Sequence, residues 1–228
     1  MSYYNKQESE NRIKKVVEIL NRHNADIVVI YFDELNVANG WYLTGWVGQF
    51  EKGAVLVGKD GTTMLLGGPE SEPFAKQSSA ISDTRCFKAF MVPDEEYPNA
   101  TIIGFPELFA ELNKKFPVKK VGLVGMGEMP YSVHQDILAG FAGCEVEDLT
   151  DEYLKLRYIK SDWEVEQARA ATQLCYKAYK AMMEKVKPGV KEYEVAAAGE
   201  AVCRAAGANG FAYQTIVGSG ERSDALVP

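Results

Sequence analysis

The chain is poor in the side chains that most often do chemistry, with two histidines and four cysteines in 228 residues. The cysteines, Cys86, Cys144, Cys175 and Cys203, lie far apart and form no CxxC pair. Cys175 and Cys203 fall among alanines and apolar residues on predicted helices, where a buried, reduced thiol is expected. The reading is a disulfide-free, cytoplasmic protein. No run approaches the roughly 20 apolar residues of a membrane span. The first ten residues carry no apolar h-region, so no signal peptide is expected. Positive charge is outweighed: 25 Lys and Arg stand against 32 Asp and Glu, for a formal net charge of −7. Pairs such as Lys14-Lys15 and Lys119-Lys120 sit among acids as solvated faces, which argues against a nucleic-acid partner.

What remains is ordinary for a globular protein of one or two domains, at 46% hydrophobic and 25% charged residues. Glu8 to His23 carries Ile13, Val16, Val17, Ile19 and Leu20 at helical spacing. Residues 26–32 form a β-branched run that reads as a buried strand. Residues 36–45 are aromatic and turn-rich. Residues 53–57 and 62–66 read as strands joined through Lys59-Asp60-Gly61, a hairpin signal. Helices are expected over 69–78, 105–116 and 132–141, strands over 120–124 and 145–149, and an acidic loop over 93–98. This alternation predicts an α/β domain with a mostly parallel sheet and one hairpin.

The last quarter changes character. Ser161-Asp-Trp-Glu164 is a capping box, in which the serine hydroxyl accepts from the N3 amide and Glu164 reaches back. A long helix follows, with one apolar face of Val165, Ala168, Cys175, Ala178 and Met182, stopped by Pro188-Gly189. An alanine-rich helix over 192–206 ends at Gly207. Tyr213 to Val217 reads as a strand, running into Gly218-Ser219-Gly220.

The pattern Leu156-Arg-x-Ile-Lys-Ser161, Lys187-Pro-Gly-Val190, Glu192-x-Glu-Val195, Glu200, Gly207 and Ile216-Val-x-Ser-Gly220 resembles the opening of the pita-bread metallopeptidase catalytic domain. Upstream, Trp41-Tyr-Leu-Thr-Gly45 resembles a signature of the amino-terminal domain in prolidases and creatinases. The resemblance implies a creatinase/prolidase-type domain with a mixed sheet over residues 1–155. Residues 156–228 would hold the first helices and strand of an α+β pita-bread fold. It further implies an Xaa-Pro aminopeptidase or dipeptidase-like metallohydrolase, acting as a homodimer on small proline-containing peptides. Two divalent ions (Mn²⁺, Co²⁺ or Zn²⁺) would be held by carboxylates and a histidine. None of those ligands is identifiable in this sequence, so no metal-binding or catalytic residue is assigned and the chain by itself is expected to be inactive. Two alternatives stay open: a non-catalytic pita-bread protein that binds peptides or a partner, and a creatinase-like, metal-independent C–N hydrolase.

The family commonly places a Leu-Pro-His after the Ser-Gly. Here the sequence runs Glu221-Arg-Ser-Asp-Ala-Leu-Val-Pro228, and aligning Ala225-Leu226 puts Pro228 where the histidine belongs. Either the register differs by a few residues or the chain is a divergent member. Substrate contact is assigned to Trp46 and Phe50, which follow the Tyr-Leu-Thr-Gly segment; packing is the competing role. Glu51 stands where creatinases present a cation to substrate, which disfavours a creatine-like ligand. His23 suits a helix C-terminus, and His134 lacks a partner at ligand spacing. Gly122 to Gly127 lacks the GxGxxG order, Asp33-Glu34 reads as solvated acids, and Ser219 lacks a nucleophile-elbow frame.

Overall fold

The computed structural model describes residues 4–46, 48, 51–93 and 96–224. It contains two compact units, Met1–Tyr158 and Ile159–Pro228.

In the first unit the described residues form a seven-stranded sheet of order β5-β4-β3-β2-β1-β6-β7. Its strands are β1 (Ile27–Phe32), β2 (Gly53–Gly58), β3 (Thr63–Gly67), β4 (Thr84–Phe87), β5 (Ile102–Ile103), β6 (Lys120–Val124) and β7 (Glu145–Asp148). β1 sits between β2 and β6, and every one of its residues is buried. Successive strand side chains point to opposite faces. Ile27, Val29 and Tyr31 therefore enter one core, while Val28, Ile30 and Phe32 enter the other. That double burial is why the run is continuously apolar, and each such side chain contributes about 1.5–3 kcal/mol.

One face is covered by α1 (Lys6–His23), α2 (Val37–Thr44) and α6 (Thr150–Lys155), through Val16, Ile19, Leu20, Tyr42, Leu43 and Tyr153. The other is covered by α4 (Phe105–Lys115) and α5 (Tyr131–Gly140), through Phe105, Leu108, Leu112, Val133 and Ile137. Helix α3 (Glu72–Ser78) leads into β4.

The sheet is mostly parallel, as expected, but it holds two antiparallel pairs, β1–β2 and β2–β3. Only the second is a hairpin. Its turn places Gly61 at φ 86°, and Asp60 accepts from the Thr62 amide at 2.9 Å. β4 and β5, where the sequence predicts no strand, are four and two residues long and continue the sheet in parallel beyond β3.

In the second unit, α7 (Asp162–Lys185) and α8 (Glu192–Ala205) pack together. The capping box forms: the Ser161 amide donates to Glu164 at 2.8 Å, and the Glu164 amide donates to the Ser161 hydroxyl at 3.2 Å. The contact runs through small residues. A Cβ added at Gly199 would lie 2.7 Å from Met182, and Val195, Gly199 and Cys203 form the buried face of α8. On α7 only Ala178 is buried, and Val165 and Cys175 are exposed. The apolar face of α7 is thus covered only near its C-terminal end, and the expectation of a buried Cys175 is corrected. All four cysteines are free thiols.

Tyr213 to Val217 is not a strand. A strand is defined by ladder hydrogen bonds, and the described residues of this unit offer no second strand to pair with it.

Candidate functional site

The Trp41-Tyr-Leu-Thr-Gly45 segment is the last turn of α2 and its cap. Three carbonyls at the end of that helix are satisfied from outside it. Tyr42 accepts from Arg12 at 2.8 Å and from the Tyr4 hydroxyl at 2.7 Å. Leu43 accepts from the buried Ser9 hydroxyl, and Thr44 accepts from the Ala80 amide at 2.8 Å. Gly45 takes φ 63° and its amide closes on Trp41 at 2.8 Å. Thr44 then turns the chain, since its hydroxyl accepts from the Trp46 amide at 3.0 Å.

Trp46 is 8% exposed and lies edge-on to Phe32, with ring centroids 6.4 Å apart. Phe50, the other residue assigned to substrate contact, lies outside the described residues. Glu51 is buried, and its carboxylate accepts from the Glu70 amide at 3.2 Å, the Ser71 amide at 2.9 Å and the Ser71 hydroxyl. It is directed at the backbone leading into α3, a role no local sequence signal announces.

In the second unit a cleft of about 820 Å³ opens between the first turns of α8 and the segment 214–222. Glu192 organises it. Its Oε1 accepts from the Ser219 amide at 2.7 Å and the Ser219 hydroxyl at 2.8 Å, and its Oε2 pairs with Arg222. Ser219, read from sequence as no nucleophile, is committed to this carboxylate. The cleft walls combine Tyr193, Ile216 and Val217 with Lys191 and the Glu192–Arg222 ion pair, a mixed apolar and charged lining. Residues 225–228, including Pro228, lie outside the described residues.

Both histidines belong to the first unit. His23 closes α1, with Nδ1 2.8 Å from Glu147, and Lys120 reaches Glu147 at 2.9 Å. Lys120 first, and then His23, holds the Glu147 carboxyl below its ordinary range. His134 lies on α5. Asp33 caps its own loop, accepting from the Leu35 and Asn36 amides at 3.0 and 2.8 Å. Gly125 carries the turn after β6, donating to Thr150 at 3.0 Å.

A second cavity, of about 540 Å³, lies beside β4 and is lined by Glu72, Arg85, Cys86 and Tyr97. Burial, followed by Glu72 and Glu51, pushes the Cys86 thiol up, so it is a poor nucleophile. Among the described residues no group of three or more His, Cys, Asp or Glu could hold a metal ion. The residues described do not fit a catalytic metal, and no step through one is assigned to them.

Residues 12–159 match the profile of the Creatinase/Prolidase N-terminal domain. The chain belongs to the creatinase/prolidase family. Its later part, residues 166–227, matches Metallopeptidase family M24, so both units carry the pita-bread family's sequence in the expected order.

The chain is 26% identical over 213 residues to an Xaa-Pro dipeptidase of Pyrococcus horikoshii, covering 93% of this chain and 53% of the relative. An Xaa-Pro dipeptidase of Pyrococcus furiosus is 26% identical over 215 residues, covering 94% and 54%. The chain therefore spans about half the length of the curated relatives it matches.

Among solved structures, the prolidase of Pyrococcus horikoshii superposes with a TM-score of 0.72 at 25% identity, over 93% of this chain and 54% of that one. The X-Pro aminopeptidase of Thermotoga maritima shares the fold, with a TM-score of 0.68 at 19% identity over 88% of this chain and 51% of that one. Among the described residues of this family member, no helix is long and apolar enough to cross a membrane.

Proposed function

We propose that this chain is the amino-terminal domain and the opening of the catalytic domain of an Xaa-Pro dipeptidase-like metallopeptidase acting on small proline-containing peptides. The observation that carries the reading is the alignment to Xaa-Pro dipeptidases, which runs through both units and covers more than nine-tenths of the chain. On this reading residues 1–155 shape the substrate mouth, and residues 156–228 begin the pita-bread fold. Divalent ions (Mn²⁺, Co²⁺ or Zn²⁺) are bound by side chains other than those described. The protein works as a cytoplasmic homodimer. Substrate contact is assigned to Trp46 and, by its place in the sequence, Phe50. The support for Trp46 is its place directly after the capped end of α2, where the Thr44 hydroxyl fixes the direction of the chain.

The test is hydrolysis of an Ala-Pro dipeptide by the protein expressed from its complete reading frame. Activity with Mn²⁺ that a chelator removes is expected, and Trp46→Phe should raise KM more than it lowers kcat. A folded protein that takes up no divalent metal and leaves the dipeptide intact sinks the reading. No observation favours a non-catalytic role.

A further inference from the structure

Helix α1 buries a charge that the proposed function does not use. Arg12 is 2% exposed. Its Nη1 donates to the Tyr42 carbonyl at 2.8 Å and to the Tyr4 hydroxyl at 3.2 Å. Its guanidinium carbon lies 4.3 Å from the centre of the Tyr42 ring, and Glu8, one turn earlier, is 3.4 Å from Nη2. Desolvating a guanidinium is costly. Docking α1 does not call for one, because Val16, Ile19 and Leu20 already anchor it through apolar contact. An apolar side chain could not supply a donor and a positive charge at the end of α2, where carbonyls lack partners within the helix and the dipole is negative.

Tyr42 is held on two sides. Arg12 takes its carbonyl and ring, and its own hydroxyl donates to the Leu156 carbonyl at 3.1 Å. Leu156 caps α6, two residues before the boundary between the units. Tyr153 makes a second tie between the same elements. Its hydroxyl donates to the Asn39 carbonyl at 2.6 Å, and its ring stands edge-on to Tyr42 at 6.1 Å. The short helix that delivers Trp46 therefore also holds the root of the segment leading into the second unit.

We propose that Arg12 and Tyr42 are positioning residues: they lock α2, fix the root of the segment at Leu156, and through α2, whose capped end delivers Trp46, set the affinity for substrate. The effect on affinity rests on the peptidase reading, whereas the anchoring at Leu156 does not.

Tyr42→Phe is the variant to make, because it deletes one hydroxyl and keeps the ring and the carbonyl. Backbone amides of residues 157–161 should exchange with solvent about three- to tenfold faster than in the parent protein, with those of β1 and β6 unchanged. In the protein from the complete reading frame, KM for Ala-Pro should rise by a similar factor while kcat stays within about twofold. Arg12→Lys, which keeps charge and a donor, should retain more of the parent KM than Arg12→Met, which keeps only bulk. Unchanged exchange at 157–161 overturns the proposal whatever the kinetics show. Faster exchange with unchanged KM in an active enzyme overturns it too, leaving Tyr42 a structural tie. A parent protein inert towards the dipeptide removes the peptidase reading instead, and the exchange comparison alone then decides the anchoring.

Discussion

Glu51 shows how far a residue's role can depart from its neighbourhood in sequence. In sequence Glu51 lies between the aromatic residues Trp46 and Phe50 and strand β2, yet its partners are the backbone and hydroxyl of residues about 20 positions on. Glu51→Ala strands buried donors, and a stability loss of about 2–3 kcal/mol in urea unfolding is expected. An unfolding midpoint equal to that of the parent would show that water replaces the carboxylate there. Glu147 has a pH signature of opposite visibility, since it lies near the surface. Lys120, then His23, depresses its folded pKa, so its stabilisation is complete above the unfolded value of about 4.3 and is lost as pH falls through the folded one. Stability of the parent protein should decline more steeply below about pH 4.5 than that of Glu147→Gln, with the two parallel near neutrality. Coincident profiles would remove Glu147 from the acid transition. Neither Glu51 nor Arg12 could be assigned from sequence, because both act through partners distant along the chain.

At the level of elements, pattern served where the period was long and failed where it was short. The spacing of Ile13, Val16, Ile19 and Leu20 identified α1, and Asp60-Gly61 identified the β2–β3 turn. Residues 36–45, rich in Asn and Gly, read as turn but contain α2. That helix is stabilised by burying Tyr42 and Leu43 and by external partners for its last carbonyls. Gly45 is the point where α2 depends on its sequence most directly. It adopts φ 63°, and an added Cβ would strike the base of the Tyr4 side chain. Gly45→Ala should therefore cost at least about 1–2 kcal/mol from the left-handed backbone alone, read as a lowered thermal midpoint. An unchanged midpoint would mean that the cap can relax. The strand expected at 213–217 failed for the opposite reason: its β-branched residues fit a sheet, but a ladder needs a neighbour.

For the whole molecule, the first unit encloses two complete cores, while the second leaves Tyr176, Tyr179, Met183 and Val186 more than half exposed on or just after α7. A contiguous apolar face of this kind promotes association. The 228-residue chain alone is expected to oligomerise with rising concentration, to bind a hydrophobic dye and to leave Ala-Pro uncut in Mn²⁺. A monomeric, dye-silent chain by light scattering, or one that cuts the dipeptide, would contradict this. Sequence alone determined the family, the capping box that starts α7 and the central strands, because these depend on local periods and on residue types read one turn at a time. Only the tertiary structure decided that Arg12 clamps α2, that Glu51 caps the approach to α3 and that 213–217 stays unpaired. Each of those depends on which groups the fold brings within a few ångströms, and chain proximity does not encode that distance.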